Sequence, residues 1–411
     1  MNQTTDVAII GAGPYGLSLG AHLAQAGIAC VVLGEPMHTW RTGMPEGMVL
    51  KSEGFASNLW HPDKAFTLQD YCAEHGLPYQ DSGLPVPLAT FSAYGVAFQK
   101  RFVPMLREQW VRHLDFDGSL YTLHLDNHDI ITARRVVIAA GIRKFHQIPT
   151  ELAPILGTLC SHSADHHKLD RFRGRQILVI GGGASGIGMA ALMSAQGAKV
   201  SVAARKNRIA YCGPPSDRSL LEKIRAPESG LGTGWRSLAC VLAPMVFYQM
   251  PRDFRHMIVR RHLGPAPGWT SRAEVEQNVD VLLGRRVVGS REANGLAAVT
   301  FQNSDGSEQT VEAEHVISAT GYKVDMRRLE FLSREILDRM EMAAFTPVLS
   351  PYFETSVPGL FVVGTAAANA FGPLLRFAYG AGFASNRLSR FLKRTAERRL
   401  VPMRPTLAAA A

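Results

Sequence analysis

Gly11-Ala-Gly-Pro-Tyr-Gly16 follows the apolar run Asp6-Val-Ala-Ile-Ile10, and Gly181-Gly-Gly-Ala-Ser-Gly186 follows Gln176-Ile-Leu-Val-Ile180. A buried strand running into such a glycine turn and then into a helix is the local plan of a dinucleotide cradle. The first glycine makes the tight turn, the second lets the backbone approach a pyrophosphate, and the third lets the helix pack on the sheet. Phosphates then sit at the helix N-terminus, where free N–H groups and the dipole favour negative charge. One loop of this kind also fits a plain strand-turn-helix. Two of them, 170 residues apart (181 − 11), point to two dinucleotides on one chain.

The acceptor residue beyond each cradle tells the two apart. After the first, the strand Ala29-Cys-Val-Val-Leu33 leads to Glu35, 19 residues beyond Gly16 (35 − 16), where a carboxylate accepts hydrogen bonds from an unmodified adenosine ribose. After the second, an alanine-rich helix to Gln196 and the strand Lys199-Val-Ser-Val-Ala203 lead to Arg205, again 19 residues on (205 − 186), with Lys206 and Arg208 beside it. Positive charge there suits a 2′-phosphate. The pair reads as FAD on the first cradle and NADPH on the second. Gly11, Gly13, Pro14, Tyr15, Gly16 and Glu35 are the candidates for the flavin nucleotide; Gly181, Gly183, Ser185, Gly186, Arg205 and Lys206 are those for the nicotinamide nucleotide.

The chain has 411 residues, 46% hydrophobic and 19% charged, enough for two or three domains with substantial cores. Its start lacks the basic flank, apolar run and cleavage site of a secretory signal, and no apolar stretch reaches the length of about 18 residues that reads as a membrane span. A soluble, cytoplasmic protein is expected. The five cysteines, Cys30, Cys72, Cys160, Cys212 and Cys240, are dispersed without a C-x-x-C pair, which argues against a disulfide framework, a zinc knuckle and a dithiol-relaying flavin reductase. His162 and His166 have a metal-like spacing but no third ligand, so no metal is expected. The net charge is +9. Between Arg205 and Arg261 stand eleven Lys or Arg and four Asp or Glu, an excess of seven (11 − 4). Without interleaved aromatics on a known module this does not read as a nucleic-acid surface; it suits steering of a polyphosphate or acidic substrate, or a solvated face.

Along the chain, residues 36–113 read as loops and helices. Phe91, Tyr94, Phe98, Phe102, Leu106 and Trp110, three or four apart, predict an inward helical face over 91–113, with a kink at Pro104. Strands return at 119–125 and 130–140. The segments Arg135-Val-Val-Ile-Ala-Ala140 into Gly141, and His315-Val-Ile-Ser-Ala-Thr320 into Gly321, read as crossings between domains. The expected fold is α/β: two nested Rossmann-like dinucleotide-binding domains, for FAD (1–166 and 315–411) and NADPH (167–314), with a small helical insert at 211–270. That insert is a cap over the substrate, a surface excursion or a dimer contact.

Gly11–Gly16, Gly181–Gly186, Ala319-Thr-Gly-Tyr322 and Pro358-Gly-Leu-Phe-Val-Val-Gly364 together resemble the single-component class B flavin monooxygenases over nearly the whole chain. The resemblance implies that NADPH reduces FAD, that reduced flavin captures oxygen as a C4a-hydroperoxide, and that one oxygen atom passes to a small molecule. It places Trp40 and Arg41 near the flavin pyrophosphate loop, Gly141, Gly321 and Tyr322 at the crossings, and Gly364 against the flavin. Thr365 stands where the family often has aspartate. The run Leu50-Lys-Ser-Glu-Gly-Phe-Ala-Ser-Asn-Leu-Trp-His-Pro62, followed by Phe66-Thr-Leu-Gln-Asp-Tyr71, is similar to the N-hydroxylating amine monooxygenases, and implies that Lys51 is catalytic; a structural lysine is the alternative. The Baeyer–Villiger fingerprint is only approximated around Gly157. The closing segment Asn369–Gly380 also resembles bacterial FAD-dependent urate hydroxylases. N-hydroxylation of a small amine is the expected reaction. Hydroxylation of a purine-like ring, a reductase passing electrons to a protein carrier, and a nucleotide-sensing regulator are the rivals. O2 and a small molecule are the expected partners, and self-association into a homo-oligomer stays open.

Overall fold

The computed structural model describes residues 2–213, 218–262 and 266–400; residues 214–217 and 263–265 of the expected insert, and 401–411 of the expected FAD domain, lie outside the described residues. Seven strands form the first sheet. Its order is Leu106–Arg107, Cys30–Leu33, Asn2–Ile10, Ile130–Ile138, Tyr121–Leu125 and Val111–Phe116, and Leu360–Val362 also pairs with Ile130–Ile138. The strand Ile130–Ile138 does double duty. Its first half pairs antiparallel with Tyr121–Leu125, and its second half pairs parallel with Leu360–Val362. This brings Gly364 beside the Gly11 turn.

The second sheet is all parallel, in the order Asp280–Leu283, Lys199–Ala204, Gln176–Ile180, His315–Ser318, Cys160–His162. The fold is therefore α/β with two dinucleotide-type sheets, as the glycine turns imply. Strands 160–162 and 315–318 both belong to this second sheet, so the chain changes sheets outside the expected breaks at 166/167 and 314/315. Paired parallel strands need continuous apolar runs, and Val316 and Ile317 supply one, fully buried. A three-stranded antiparallel meander, Arg286–Ala293, Leu296–Gln302 and Glu308–Ala313, covers one end. Its apolar side, Ala297, Val299 and Phe301, closes a separate small core with Leu152 and Ile155.

The helix expected over 91–113 is Leu88–Phe102. Phe91, Tyr94 and Phe98 are fully buried as the spacing requires. Pro104 ends the helix rather than kinking it: Val103 before it takes φ −131° and ψ 56°, since a residue preceding proline avoids the helical region. Trp110 thus lies outside the helix and 39% exposed. The insert contains helices Leu220–Arg225, Trp235–Leu242, Pro244–Gln249 and Arg252–Arg261 and the short hairpin Glu228–Ser229/Gly232–Thr233.

Where the chain crosses into the second sheet, histidines gather. The Ser161 hydroxyl lies 2.6 Å from His166 Nε2 and 2.7 Å from His315 Nε2, and the ring of His162 lies 5.2 Å from that of His146. Burial pushes His162 and His315 down to about 4, with the neighbouring His146 charge adding for the first and His166, Arg171 and Arg175 for the second. His166 is lowered by the same burial. Imidazoles that protonate near the ordinary 6.5 when unfolded and near 4 when folded make the unfolded chain bind more protons in between, so stability is lost as pH falls through that window. The urea midpoint is expected to drop between pH 6.5 and 4, and His315→Gln is expected to flatten that drop; denaturation followed by circular dichroism across the window checks it.

Candidate functional site: a cavity between two uncapped helix starts

Both cradles have the same backbone solution. Gly11 sits at φ +116° and Gly181 at +131°, and a Cβ on either would collide with a carbonyl of the neighbouring strand's exit, Ala139 or Ala319. A Cβ on Gly16 or Gly186 would collide with the carbonyl of Gly11 or Gly181, so these third glycines let each helix close on its own turn. Gly13 is different: a Cβ there would meet nothing within 4 Å. Its smallness is not required by the protein around it.

The helices Pro14–Gln25 and Ala184–Ala195 start at Gly13 and Gly183, and neither has a side-chain cap or an acidic residue in its first turn. Side-chain capping is uneven elsewhere: Leu88–Phe102, Trp235–Leu242 and Arg252–Arg261 also start without a side-chain cap, and two other helices carry full capping boxes. Thr67 and Asp70 form a reciprocal capping box, as do Ser219 and Glu222. The first-turn N–H groups of the two cradle helices are left for another acceptor, and the dipole makes that acceptor an anion. This fits a dinucleotide pyrophosphate at each.

A cavity of about 2000 Å³ joins the expected site residues. Gly11, Gly13, Pro14, Tyr15, Glu35, Trp40, Lys51, Gly141, Ser185, Tyr322, Gly364 and Thr365 all line it. Gly16, Arg41, Gly181, Gly183, Gly186, Arg205, Lys206 and Gly321 do not. Arg205 and Lys206 stand exposed just past the strand Lys199–Ala204, at the acceptor edge of the second cradle, with no carboxylate paired to them among the described residues. Arg41 donates to the Pro36 carbonyl at 3.3 Å. Gly321 accepts from the Gln147 N–H at 2.9 Å, tying one crossing to the other.

Several side chains carry more structure than their sequence positions imply. Tyr15 donates its hydroxyl to the carbonyls of Leu375 and Phe377, at 3.0 and 2.8 Å. Burial raises its phenol well above the ordinary value, so it stays a donor and locks the first helix to the closing segment. Glu35 is engaged by His38 Nδ1 at 2.7 Å, and that hydrogen bond lowers its carboxyl below the usual range. It stays ionised and borders the cavity. Trp40 packs edge-on against Phe91, centroids 4.8 Å apart. Tyr322 meets His162 edge-on at 5.3 Å. Arg376, a candidate carboxylate anchor or cap for the last helix, instead donates to the Val259 carbonyl at 3.2 Å while lining the cavity. Trp110, inward by its spacing, also lines the cavity, edge-on to His38; Pro104, nearly two turns earlier, is the signal that its helical phase no longer holds.

Lys51 is exposed, lines the cavity, and has no hydrogen-bond or ion-pair partner among the described residues. Its loop is fixed from both sides. The Leu50 N–H donates to the Val86 carbonyl at 2.7 Å, and Glu53 accepts from the Gly83 N–H at 2.8 Å. The hydroxyls of Thr365 and Ser185 are likewise without partners among the described residues. All five cysteines are free, and among the described residues no group of three or more metal-type ligands forms.

A family model described as pyridine nucleotide-disulphide oxidoreductase matches residues 8–220. A curated relative, the ferredoxin–NADP reductase of Gluconacetobacter diazotrophicus, is 23% identical over 369 residues, covering 89% of this chain and 84% of its own length. Among solved structures, the FAD-bound cadaverine monooxygenase DfoA of Erwinia amylovora superposes with a TM-score of 0.74 at 17% identity, covering all of both chains. The ornithine N-hydroxylase of Kutzneria gives 0.75 at 14% identity, covering 96% of this chain and all of that one. With a family model that matches residues 8–220, both glycine turns included, the chain belongs to the pyridine nucleotide-disulphide oxidoreductase family, in the fold of the two-domain flavin monooxygenases.

Proposed function

We propose that this protein is an NADPH- and oxygen-dependent flavin monooxygenase that hydroxylates a small molecule, with the nitrogen of an amine as the atom oxidised. The observation that carries this reading is Lys51: an ammonium without a partner among the described residues, on a braced loop, at the cavity shared by both cradle helices. Two of the similar solved structures are named for amines, a cadaverine monooxygenase and an ornithine N-hydroxylase. The absence of a thiol pair argues against disulfide reduction despite the family's name.

FAD fits the first cradle, with its pyrophosphate on the Gly13 helix start, its ribose near Glu35, and Trp40, Arg41, Gly141, Gly364 and Thr365 around the rest. NADPH fits the second, on Gly181, Gly183, Ser185 and Gly186, with Arg205 and Lys206 for the 2′-phosphate and Gly321 and Tyr322 at the crossing. When bound, the pair supplies two electrons to dioxygen and delivers one oxygen atom to the substrate. The chain's own part is orientation, charge and dryness. Lys51 places positive charge where negative charge develops, an effect strongest where water is excluded. Tyr15 holds the closing segment, and with it Arg376 and Tyr379, along one wall. The substrate is a small molecule in a soluble, cytoplasmic setting; among the described residues no helix is long and apolar enough to cross a membrane.

One relative favours a second reading. The ferredoxin–NADP reductase similarity, together with the basic 205–261 stretch, supports electron delivery to an acidic protein carrier. Oxygen uptake separates the two: a monooxygenase consumes oxygen with NADPH and substrate alone, a reductase needs the carrier.

Three substitutions test the assignments. Gly13→Val adds a side chain into open space, so folding is expected to be unchanged while FAD content falls at least tenfold; absorbance of the purified protein and its melting curve check this. Lys51→Ala is expected to keep FAD but lower product per NADPH severalfold and raise peroxide release; unchanged coupling removes the catalytic role. Arg205→Ala is expected to raise the KM for NADPH by about tenfold, near the 1.4 kcal/mol of one charge-assisted contact, and leave that for NADH in place. Equal effects on both nucleotides remove the 2′-phosphate assignment.

A further inference from the structure

The closing segment carries a half-buried cation, Arg376, on the lining of the cavity. Its Nη1 donates to the Val259 carbonyl at 3.2 Å, which leaves the rest of its fork of N–H donors, and its charge, without a partner among the described residues. Burial lowers this guanidinium, yet it stays ionised at ordinary pH. One group holds the backbone on both sides of it, since the Tyr15 hydroxyl donates to the carbonyls of Leu375 and Phe377. Tyr15 stands in the first turn of the helix that starts at Gly13, so the position of Arg376 is set from the first cradle.

Tyr379, in the same segment, also lines the cavity. Its ring meets Trp60 edge-on at 5.6 Å, and Gly230 of the insert lies so close that a Cβ there would collide with the ring. The ring is clamped, while its hydroxyl has no partner among the described residues. Burial raises the phenol above its ordinary value, so it remains a donor.

The cavity's negative charge is already engaged. Each of the six glutamates that line it accepts a hydrogen bond within the chain: Glu35 from His38, Glu53 from the Gly83 N–H, Glu222 from Ser219, Glu228 from Ser82, Glu274 from Ser194 and Glu330 from Lys144. No aspartate among the described residues lines it. The described cations that line it are exposed, save Arg376 and Arg218, and Arg218 is bonded within the insert, to the Ala226 carbonyl. A buried charge without a counter-charge is costly, and a planar guanidinium meets that need best with a planar oxyanion, through two parallel N–H···O bonds.

We propose that Arg376, with the Tyr379 hydroxyl, binds an oxyanion carried by the substrate, a carboxylate or an equally delocalised ring oxyanion, so that the molecule taken up is an anion or a zwitterion and not a plain amine. The subsite stands on the geometry of the cavity; its use in the reaction rests on the proposed oxidative function.

The test is calorimetric titration of FAD-loaded protein with three probes: L-lysine, cadaverine, which is the same chain without the carboxylate, and urate, whose oxyanion lies on a ring. L-Lysine or urate is expected to bind with a Kd below about 1 mM, and cadaverine at least tenfold more weakly than whichever of them binds. Tight L-lysine assigns the subsite to a carboxylate, tight urate to a ring oxyanion. Arg376→Gln is expected to weaken that binding at least tenfold, and Arg376→Lys, which keeps the charge but not the fork, to recover part of it. Tyr379→Phe is expected to weaken it severalfold with the melting curve unchanged. Binding of neither anion, cadaverine bound as tightly as the anion, or an unchanged Kd in Arg376→Gln overturns the subsite. An unchanged Kd in Tyr379→Phe removes the phenol's part, and overturns the subsite where Arg376→Gln does not fold. Because Arg376 also ties down the insert, Arg255→Gln is the control: it removes the bond from the insert to the Ala370 carbonyl at a residue that does not line the cavity. An equal loss of anion binding there overturns the subsite, giving the effect to the insert's attachment. Anion binding in a protein that consumes no oxygen with NADPH upholds the subsite and removes the oxidative function. Oxygen uptake driven as well by cadaverine as by either anion keeps the oxidative function and overturns the subsite.

Discussion

The constraint on which the rest depends is that the two helices that follow the glycine turns begin at the cavity with neither a side-chain cap nor an acidic residue in the first turn. A side-chain cap is worth roughly 1 kcal/mol to a helix, and this chain supplies reciprocal capping boxes at Thr67 and Ser219. It leaves Gly13 and Gly183 bare at the two helices that border the central cavity. Other helices also start without a side-chain cap; what sets these two apart is the cavity at their starts, where an anion would sit at the positive end of each helix with the dipole's help. The glycine positions around these starts obey the same constraint. Gly11, Gly16, Gly181 and Gly186 are forced by backbone carbonyls in van der Waals conflict with any Cβ, whereas Gly13 is left open toward the cavity. The first four specify how the protein folds, and the fifth specifies what it must leave room for.

This division explains what was legible in the sequence. The two glycine turns and the α/β fold rest on short-range rules in which a few residues fix the turn, and these were readable. A strand ending at Gly364 was expected from the family resemblance, but its pairing with the second half of Ile130–Ile138 was not. The meander 286–313 was not foreseen, because its strands carry mixed burial and its apolar side is completed by Leu152 and Ile155, over a hundred residues earlier. The place of Trp110 was missed because helical periodicity was carried past Pro104. The grouping of His315 with His166 was missed for a third reason: the two meet at Ser161 only when strands 160–162 and 315–318 pair in the second sheet, and no spacing rule connects Ser161 to His315, 154 positions away.

The same contrast governs Lys51. Of the local match that drew attention to it, Phe66–Tyr71 turns out to be helix-start chemistry: the Thr67–Asp70 box, with Tyr94 donating to the Phe66 carbonyl at 3.0 Å. The other half, 50–62, is a loop pinned by Val86, Gly83 and the Ser52–Ser57 hydroxyl pair at 2.8 Å. Pinning the backbone on both sides of an ammonium that has no partner among the described residues suits the role proposed for Lys51, a charge kept in place without being neutralised. A salt bridge would hold the lysine as firmly but would cancel the field it provides, which is the reason a preorganised charge is anchored through its neighbours.

The insert is attached by the opposite strategy, through side-chain contacts from both sides rather than by sheet pairing. Arg376 donates to the Val259 carbonyl at 3.2 Å, Arg255 to the Ala370 carbonyl at 3.1 Å, and Tyr248 both donates to Leu349 at 3.1 Å and stacks on Phe371. Burial lowers both guanidinium groups, yet neither has a carboxylate partner among the described residues. Arginine tolerates this because its charge is delocalised and never lost at ordinary pH, so a carbonyl suffices where lysine would deprotonate. The insert is thus lashed to the same closing segment that Tyr15 ties to the first cradle, and because Arg376 and residues of the insert both line the cavity, the position of the insert is part of the site.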